Sequence, residues 1–318
     1  MKEMTNPQVK TLVQSSFLSD FIMQDSPVVD KTVFIQQLLE EPIGSYLLCR
    51  PRGFGKTLLL DTIEKIFNGE RELFKKMAIG QEETNYDWEV FPVIRLDMSG
   101  THSSADALSR DLVNKLSLIS ETHHVQIDTM NERSAILSLI TRISEKHKAF
   151  ARENNITIFE NDPCNVVLLI DEYDFPLQQN FLHFDKTIEI RHLLSLFFSA
   201  IKSIQNRIRF ALITGMTKLD DLGLASGMDN IFDISYKSRY SQMCGFTMDE
   251  IRKTFNEHLQ STLGEMKANG DLVTDATIDD LISEFERRYS GYSWDGQKTV
   301  LNPRSVMDCL NNEKFVVY

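Results

Sequence analysis

Basic residues are in short supply in this chain. Thirty-four lysines and arginines face 46 aspartates and glutamates, a formal net charge of −12. That balance excludes a broad, sequence-independent grip on nucleic acid, although it is compatible with a local basic groove. Cysteine is scarce too: Cys49, Cys164, Cys244 and Cys309 lie far apart, with no CxxC or Cys/His spacing, which argues against zinc. Reduced thiols in a cytoplasmic setting are expected. No apolar run approaches the roughly 20 residues of a membrane helix. The opening Met-Lys-Glu-Met-Thr-Asn-Pro has no apolar signal core. The expectation is a soluble, cytoplasmic protein with no membrane contact and no direct role on nucleic acid. Low-complexity segments and fixed-period repeats are also missing.

What is present suffices for one large domain or a core with an appendage, since 42% of 318 residues are hydrophobic. The most informative stretch is residues 45–57, Ser-Tyr-Leu-Leu-Cys-Arg-Pro-Arg-Gly-Phe-Gly-Lys-Thr. Tyr46 to Cys49 reads as a buried strand, and Pro51, Gly53 and Gly55 break it. Lys56 and Thr57 then open a helix with Leu59, Leu60, Ile63, Ile66 and Phe67 on one face. Strand, glycine-containing loop, Lys-Thr and helix make a phosphate cradle of the Walker A kind. Backbone N–H groups bind phosphate oxygens, Lys56 reaches the β- and γ-phosphates, and the Thr57 hydroxyl ligates magnesium. The candidate nucleotide contacts are Arg52, Gly53, Phe54, Gly55, Lys56, Thr57 and Leu58. The usual pattern has glycine where this chain has Arg50; Gly53, tolerant of positive φ, supplies part of that lost freedom.

The second landmark is Val166-Val167-Leu168-Leu169-Ile170-Asp171-Glu172-Tyr173-Asp174. Five unbroken aliphatic residues predict a strand buried on both faces, with carboxylates at its C-terminal end, where ligands bind in open α/β sheets. In this Walker B position Asp171 is the candidate magnesium ligand opposite Thr57, and Glu172 the candidate base for the attacking water. Asp174 is expected to brace the next turn with Pro176. Arg209 to Gly215 predicts another buried strand, set between the two landmark strands, whose Thr214 is a candidate contact to the γ-phosphate or the water. Thr217-Lys218-Leu219-Asp220 mimics a guanine-reading element, but the Asp-x-x-Gly of GTPases is not found at the magnesium strand, so this segment reads as a loop.

The remaining periodicities frame these motifs. Val28 to Thr32 precedes a helix bearing Phe34, Ile35, Leu38 and Leu39, with Asp30 or Thr32 as its cap; Asp30 is also a candidate contact to the nucleotide base. Gly69 to Gln81 reads as a charged helical stretch, Phe91 to Asp97 as a strand, His123-His124 as a solvated loop, and Ile231 to Ile234 as a fifth strand. Strands alternating with helices predict an α/β fold with a mainly parallel five-stranded sheet sandwiched by helices. From about Gly245 helices dominate, opening with a capping box at Thr247 and Glu250. The expected division is an ATPase core with an N-terminal arm over residues 1–244 and a helical lid over 245–318. Arg239, Arg287, Arg288 and Arg304 are the candidate γ-phosphate sensors.

Taken together, Val29 to Thr32, Arg50 to Thr57, Leu169 to Asp174, Ile213 to Gly215, Gly245-Phe246-Thr247, Tyr289 to Tyr292 and Asn302 to Ser305 resemble the predicted AAA-ATPase-like family of bacterial P-loop proteins. The likeness covers nearly the whole chain. Family members usually show two arginines in the loop, where this chain has Arg52 followed by Gly53, and they share arginine at position 50. Many carry a C-terminal nuclease-like domain of the PD-(D/E)XK type, which is not found before Tyr318. The resemblance implies a regulatory or signal-transducing ATPase.

The resulting expectation is magnesium-dependent binding and hydrolysis of ATP, with an arginine supplied by a second copy or a protein partner as a plausible addition. The alternatives are a nucleotide-gated switch with little turnover and, further off, a phosphotransferase or a GTPase. Glu172 argues against phosphotransfer, because an activated water would divert the phosphoryl group.

Overall fold

Strand β3, Val166–Asp171, is buried at every position. Side chains alternate along a strand, so Val166, Leu168 and Ile170 enter one apolar cluster while Val167 and Leu169 enter another on the opposite face. The same division runs through β1 (Ser45–Cys49), β2 (Val93–Asp97) and β4 (Ile208–Gly215) of the same sheet. A sheet apolar on both faces needs helices on both. Helices α4 (Ala105–Thr122), α5 (Glu132–Glu153) and α7 (Phe184–Ser203) cover one face. The other carries α2 (Thr32–Leu39) and α3 (Lys56–Phe67), with Leu18 of the short α1 (Leu18–Met23). The structure is a computed structural model describing residues 10–41, 44–100, 102–154, 165–224 and 230–316. Cys164 and the Asp220 side chain lie outside the described residues.

The five strands run parallel in the order β2-β3-β4-β1-β5, with β5 reduced to Phe232–Asp233. Strand β4 therefore lies between the strands bearing the two motifs, as expected for P-loop ATPases with a catalytic glutamate. This is an α/β sandwich of the P-loop NTPase type. Short helices α6 (Phe175–Asn180) and α8 (Leu219–Leu222) follow β3 and β4.

Two local expectations fail. The 69–81 stretch is not an α-helix but 3₁₀ turns at Arg71–Phe74 and Ala78–Gly80. Its backbone is diverted by tertiary bonds: the Ala78 and Ile79 N–H groups donate to the Asp30 carboxylate and the Thr32 hydroxyl, 2.6 and 3.1 Å away. The two histidines also differ from each other. His124 is exposed, but His123 is half-buried with Nε2 2.9 Å from the Val93 carbonyl, and burial lowers its pKa.

Beyond Gly245, helices α9 (Met248–Thr254), α10 (Asn256–Ala268) and α11 (Ile278–Tyr289) lead into a hairpin, β6 (Tyr292–Ser293) with β7 (Thr299–Val300). The last helix is α12, Pro303–Asn312. The box at Thr247 and Glu250 caps α9 in both directions. These helices share a third apolar cluster with Leu12, Phe21 and Val29 from the chain's beginning. Lys31 and Glu250, 2.6 Å apart, add an ion pair across the same junction.

Candidate functional site

Both landmark motifs meet at the C-terminal edge of the sheet. After β1 the chain turns through Gly53 (φ +81°) and Gly55 (φ +86°) before α3 begins at Lys56. These left-handed conformations favour glycine. At Gly53 space also requires it, because a Cβ would lie 2.8 Å from Asn302 Oδ1. The loop closes around the buried Lys56 ammonium, which donates to the carbonyls of Arg50 at 2.9 Å and Pro51 at 3.3 Å.

Arg50 explains how the loop dispenses with the usual glycine. Its side chain is 0% exposed and lies in the core, off the cavity wall. Nη1 donates to the Cys49 and Ser235 carbonyls at 2.7 and 2.8 Å, Nη2 donates to Tyr240 O at 3.2 Å, and the guanidinium lies 4.4 Å from the Trp294 ring. Burial lowers its pKa. Phe54 packs edge-on against Tyr292 and Trp294, with centroids 4.7 and 5.8 Å away, so it too braces the loop. Arg95 was not marked in the sequence. From β2 it reaches α3, pairing with Asp61 and Glu64 and donating to the Thr57 carbonyl at 3.2 Å. An arginine within an apolar strand is the signal that pointed to it.

Strand periodicity places the acidic group. Asp171 follows Val167 and Leu169 by steps of two, and Thr214 follows Phe210 and Leu212 likewise, so both side chains emerge on the face that α3 covers. There Thr57 Oγ1 donates to Asp171 Oδ2 at 2.6 Å, and the Thr214 hydroxyl donates to Asp171 Oδ1. Glu172 follows with a left-handed backbone, φ +54°. Its half-buried carboxyl is raised above the usual carboxylate range by desolvation, an effect that the nearby Lys56 charge opposes. Asp174 braces the next turn as expected, standing at the start of α6 with Oδ2 accepting from Gln178 Nε2 at 2.7 Å, and the same oxygen also accepts from the Met216 and Thr217 N–H groups at 3.0 and 2.7 Å.

A cavity of about 490 Å³ opens beside this cluster. Its wall includes Lys56, Thr57, Leu58 and Glu172, with Arg52, Gly53, Phe54 and Gly55 of the loop. Asp171 and Thr214 stand behind that wall. Asp30 lines the cavity, but its carboxylate is already engaged by the Thr32 backbone and hydroxyl, 2.8 and 2.7 Å away, and by Ala78. Thr217, Lys218 and Leu219 do not line it; Lys218 lies over the Tyr236 ring at 3.8 Å. The hydroxyl of Thr57 at the cavity wall and the carboxylate of Asp171 just behind it form a hard oxygen donor pair next to a space large enough for phosphates and water. That donor set suits magnesium, which prefers one or two protein oxygens plus water and substrate phosphate.

Comparison with known proteins agrees with this geometry. The family model described as Predicted AAA-ATPase matches residues 15–225. An uncharacterized protein from the vnfD 5′ region of Azotobacter chroococcum mcd 1 is 31% identical over 292 residues, covering 91% of this chain and 49% of that protein. ASTRA-associated protein 1 of Saccharomyces cerevisiae is 22% identical over 193 residues, covering 58% of this chain and 41% of that protein. The chain thus spans about half the length or less of these curated relatives. No solved structure matches it. With the family model covering both landmark motifs and strands β1 to β4 of the sheet, the chain belongs to the AAA-ATPase-like family.

Proposed function

We propose that this protein binds ATP with magnesium and hydrolyses it to ADP and phosphate. The observation that carries the reading is the 2.6 Å contact between Thr57 and Asp171, made beside Lys56 and Glu172 at the cavity wall. Lys56 and the N–H groups of residues 53–57 hold the phosphates, with Arg52 and Leu58 at the edge of the bound nucleotide. Thr57 and Asp171 hold magnesium, which would neutralise charge on the phosphate oxygens. Glu172 takes a proton from water as the water oxygen bonds to the γ-phosphorus and the bond to the β-phosphate oxygen breaks. Thr214, behind the wall, orients Asp171 through its hydroxyl.

ATP is favoured over GTP because the guanine-like element at Thr217 lies off the cavity wall. Asp30 serves by shaping the base end of the cavity. A regulatory role is supported by the cavity's other walls, which come from the N-terminal arm and from Pro303, Arg304 and Met307 of α12. We treat residues 1–244 as the ATPase core and 245–318 as its lid, acting in the cytoplasm with a second copy or a protein partner.

Calorimetric titration tests the binding half. ATP with magnesium is expected to bind at least about tenfold more tightly than GTP. Lys56→Ala is expected to abolish binding, whereas Glu172→Gln retains it. Equal affinity for both nucleotides would contradict the base preference, and undiminished binding by Lys56→Ala would contradict the site.

A further inference from the structure

The four candidate sensor arginines occupy different environments. Arg239 pairs with Glu41 and bonds Gln37, while Arg287 and Arg288 share Glu284 at 2.7 and 2.9 Å. Arg288 also lies over the Phe315 ring at 4.1 Å. Of the four, Arg304 alone lines the cavity. Its backbone N–H donates to the Gly53 carbonyl at 3.4 Å, and a Cβ built on Gly53 would come within 3.1 Å of the Arg304 Cβ. Asn302, the cap of α12, donates to the Arg52 carbonyl at 3.1 Å. The first turn of α12 is therefore fastened directly to the phosphate loop.

The guanidinium itself is loosely held. The Arg304 side chain is 70% exposed, and its ion pair with Asp308, one helical turn on, spans 3.8 Å. Exposed pairs of this kind contribute little. Asp308 also accepts from Gln14 Nε2 at 2.6 Å, so the carboxylate keeps a partner when the arginine leaves. Arginine's planar fork suits phosphate oxygens. The contacts of α12 extend the consequence: Val306, Cys309 and Leu310 pack with Leu12 and Phe21 of the arm.

We propose that Arg304 distinguishes triphosphate from diphosphate. Its guanidinium exchanges Asp308 for oxygens of the terminal phosphate, and the first turn of α12 follows that phosphate. This inference rests on the nucleotide-binding reading above. It makes α12 the element through which the phosphate state reaches both the lid and the arm.

The test is equilibrium titration with magnesium and either ADP or a β,γ-imido analogue of ATP. Wild type is compared with Arg304→Ala, Arg304→Lys and the control Arg288→Ala. Arg304→Ala is expected to lose about tenfold or more in triphosphate affinity, roughly 1.4 kcal/mol, with ADP affinity kept within about twofold. Arg304→Lys recovers part of the loss, and Arg288→Ala changes neither affinity. An unchanged triphosphate-to-diphosphate ratio in an Arg304→Ala protein that unfolds like wild type overturns the proposal and leaves nucleotide binding intact. Wild-type protein that binds neither nucleotide overturns both.

Discussion

Glu172 sits in left-handed backbone geometry with its carboxyl half-buried, and burial raises its pKa. A carboxyl raised in the folded state adds stability that is fully present below its unfolded pKa. That contribution disappears as pH rises through the folded pKa. Glu172→Gln removes the ionisation, so at about pH 8 the variant should melt at a higher temperature than wild type. The gain should vanish near pH 3, where the carboxyl is protonated in both states. Calorimetry at both pH values checks this; a lower melting temperature at pH 8 would mean the ionised carboxylate is stabilised in the fold. Lys56, Thr57, Asp171 and Glu172 were legible in the sequence because each follows from a local rule: a glycine loop opening a helix, and carboxylates ending an aliphatic strand. Asp30 was legible only as a dual candidate. Its engagement by Ala78 depends on a contact 48 residues away.

The loop between β1 and α3 shows why a motif's departure from pattern need not weaken it. In place of glycine, Arg50 joins the loop to three carbonyls and to Trp294. Restoring the common residue should therefore harm this protein. Arg50→Gly is expected to lose about 3 kcal/mol, from charge-assisted hydrogen bonds and ring stacking together. Urea unfolding measures it, and a variant as stable as wild type would refute the clamp. Other elements differed in legibility for physical reasons. The long helices and aliphatic strands declare themselves because their burial is periodic. The 69–81 turns and the β6–β7 hairpin do not, since side chains from distant segments decide where their backbone groups bond.

Across the whole molecule, three segments enclose one cavity. Helix α3 and the turn after β3 supply Thr57 and Glu172, the arm supplies Asp30 and Lys31, and α12 supplies Arg304. Lys31 with Glu250, and Leu12 with Asn311 at 2.7 Å, join arm to lid. A nucleotide in the cavity would therefore touch parts of the chain that also hold one another, which the proposed regulatory role would require. The helical character beyond Gly245 was legible in the sequence, but not that the last helix would bond the loop before α3, because no local pattern marks Asn302 as a partner of Arg52.

The most direct measurement is magnesium-dependent release of phosphate from ATP by the purified protein beside Glu172→Gln. The account predicts turnover by wild type and a loss of about 10²-fold or more in the variant, with ATP binding retained. Release at the same rate by both proteins would contradict the role of Glu172, and ATP binding without release by wild type would contradict hydrolysis itself.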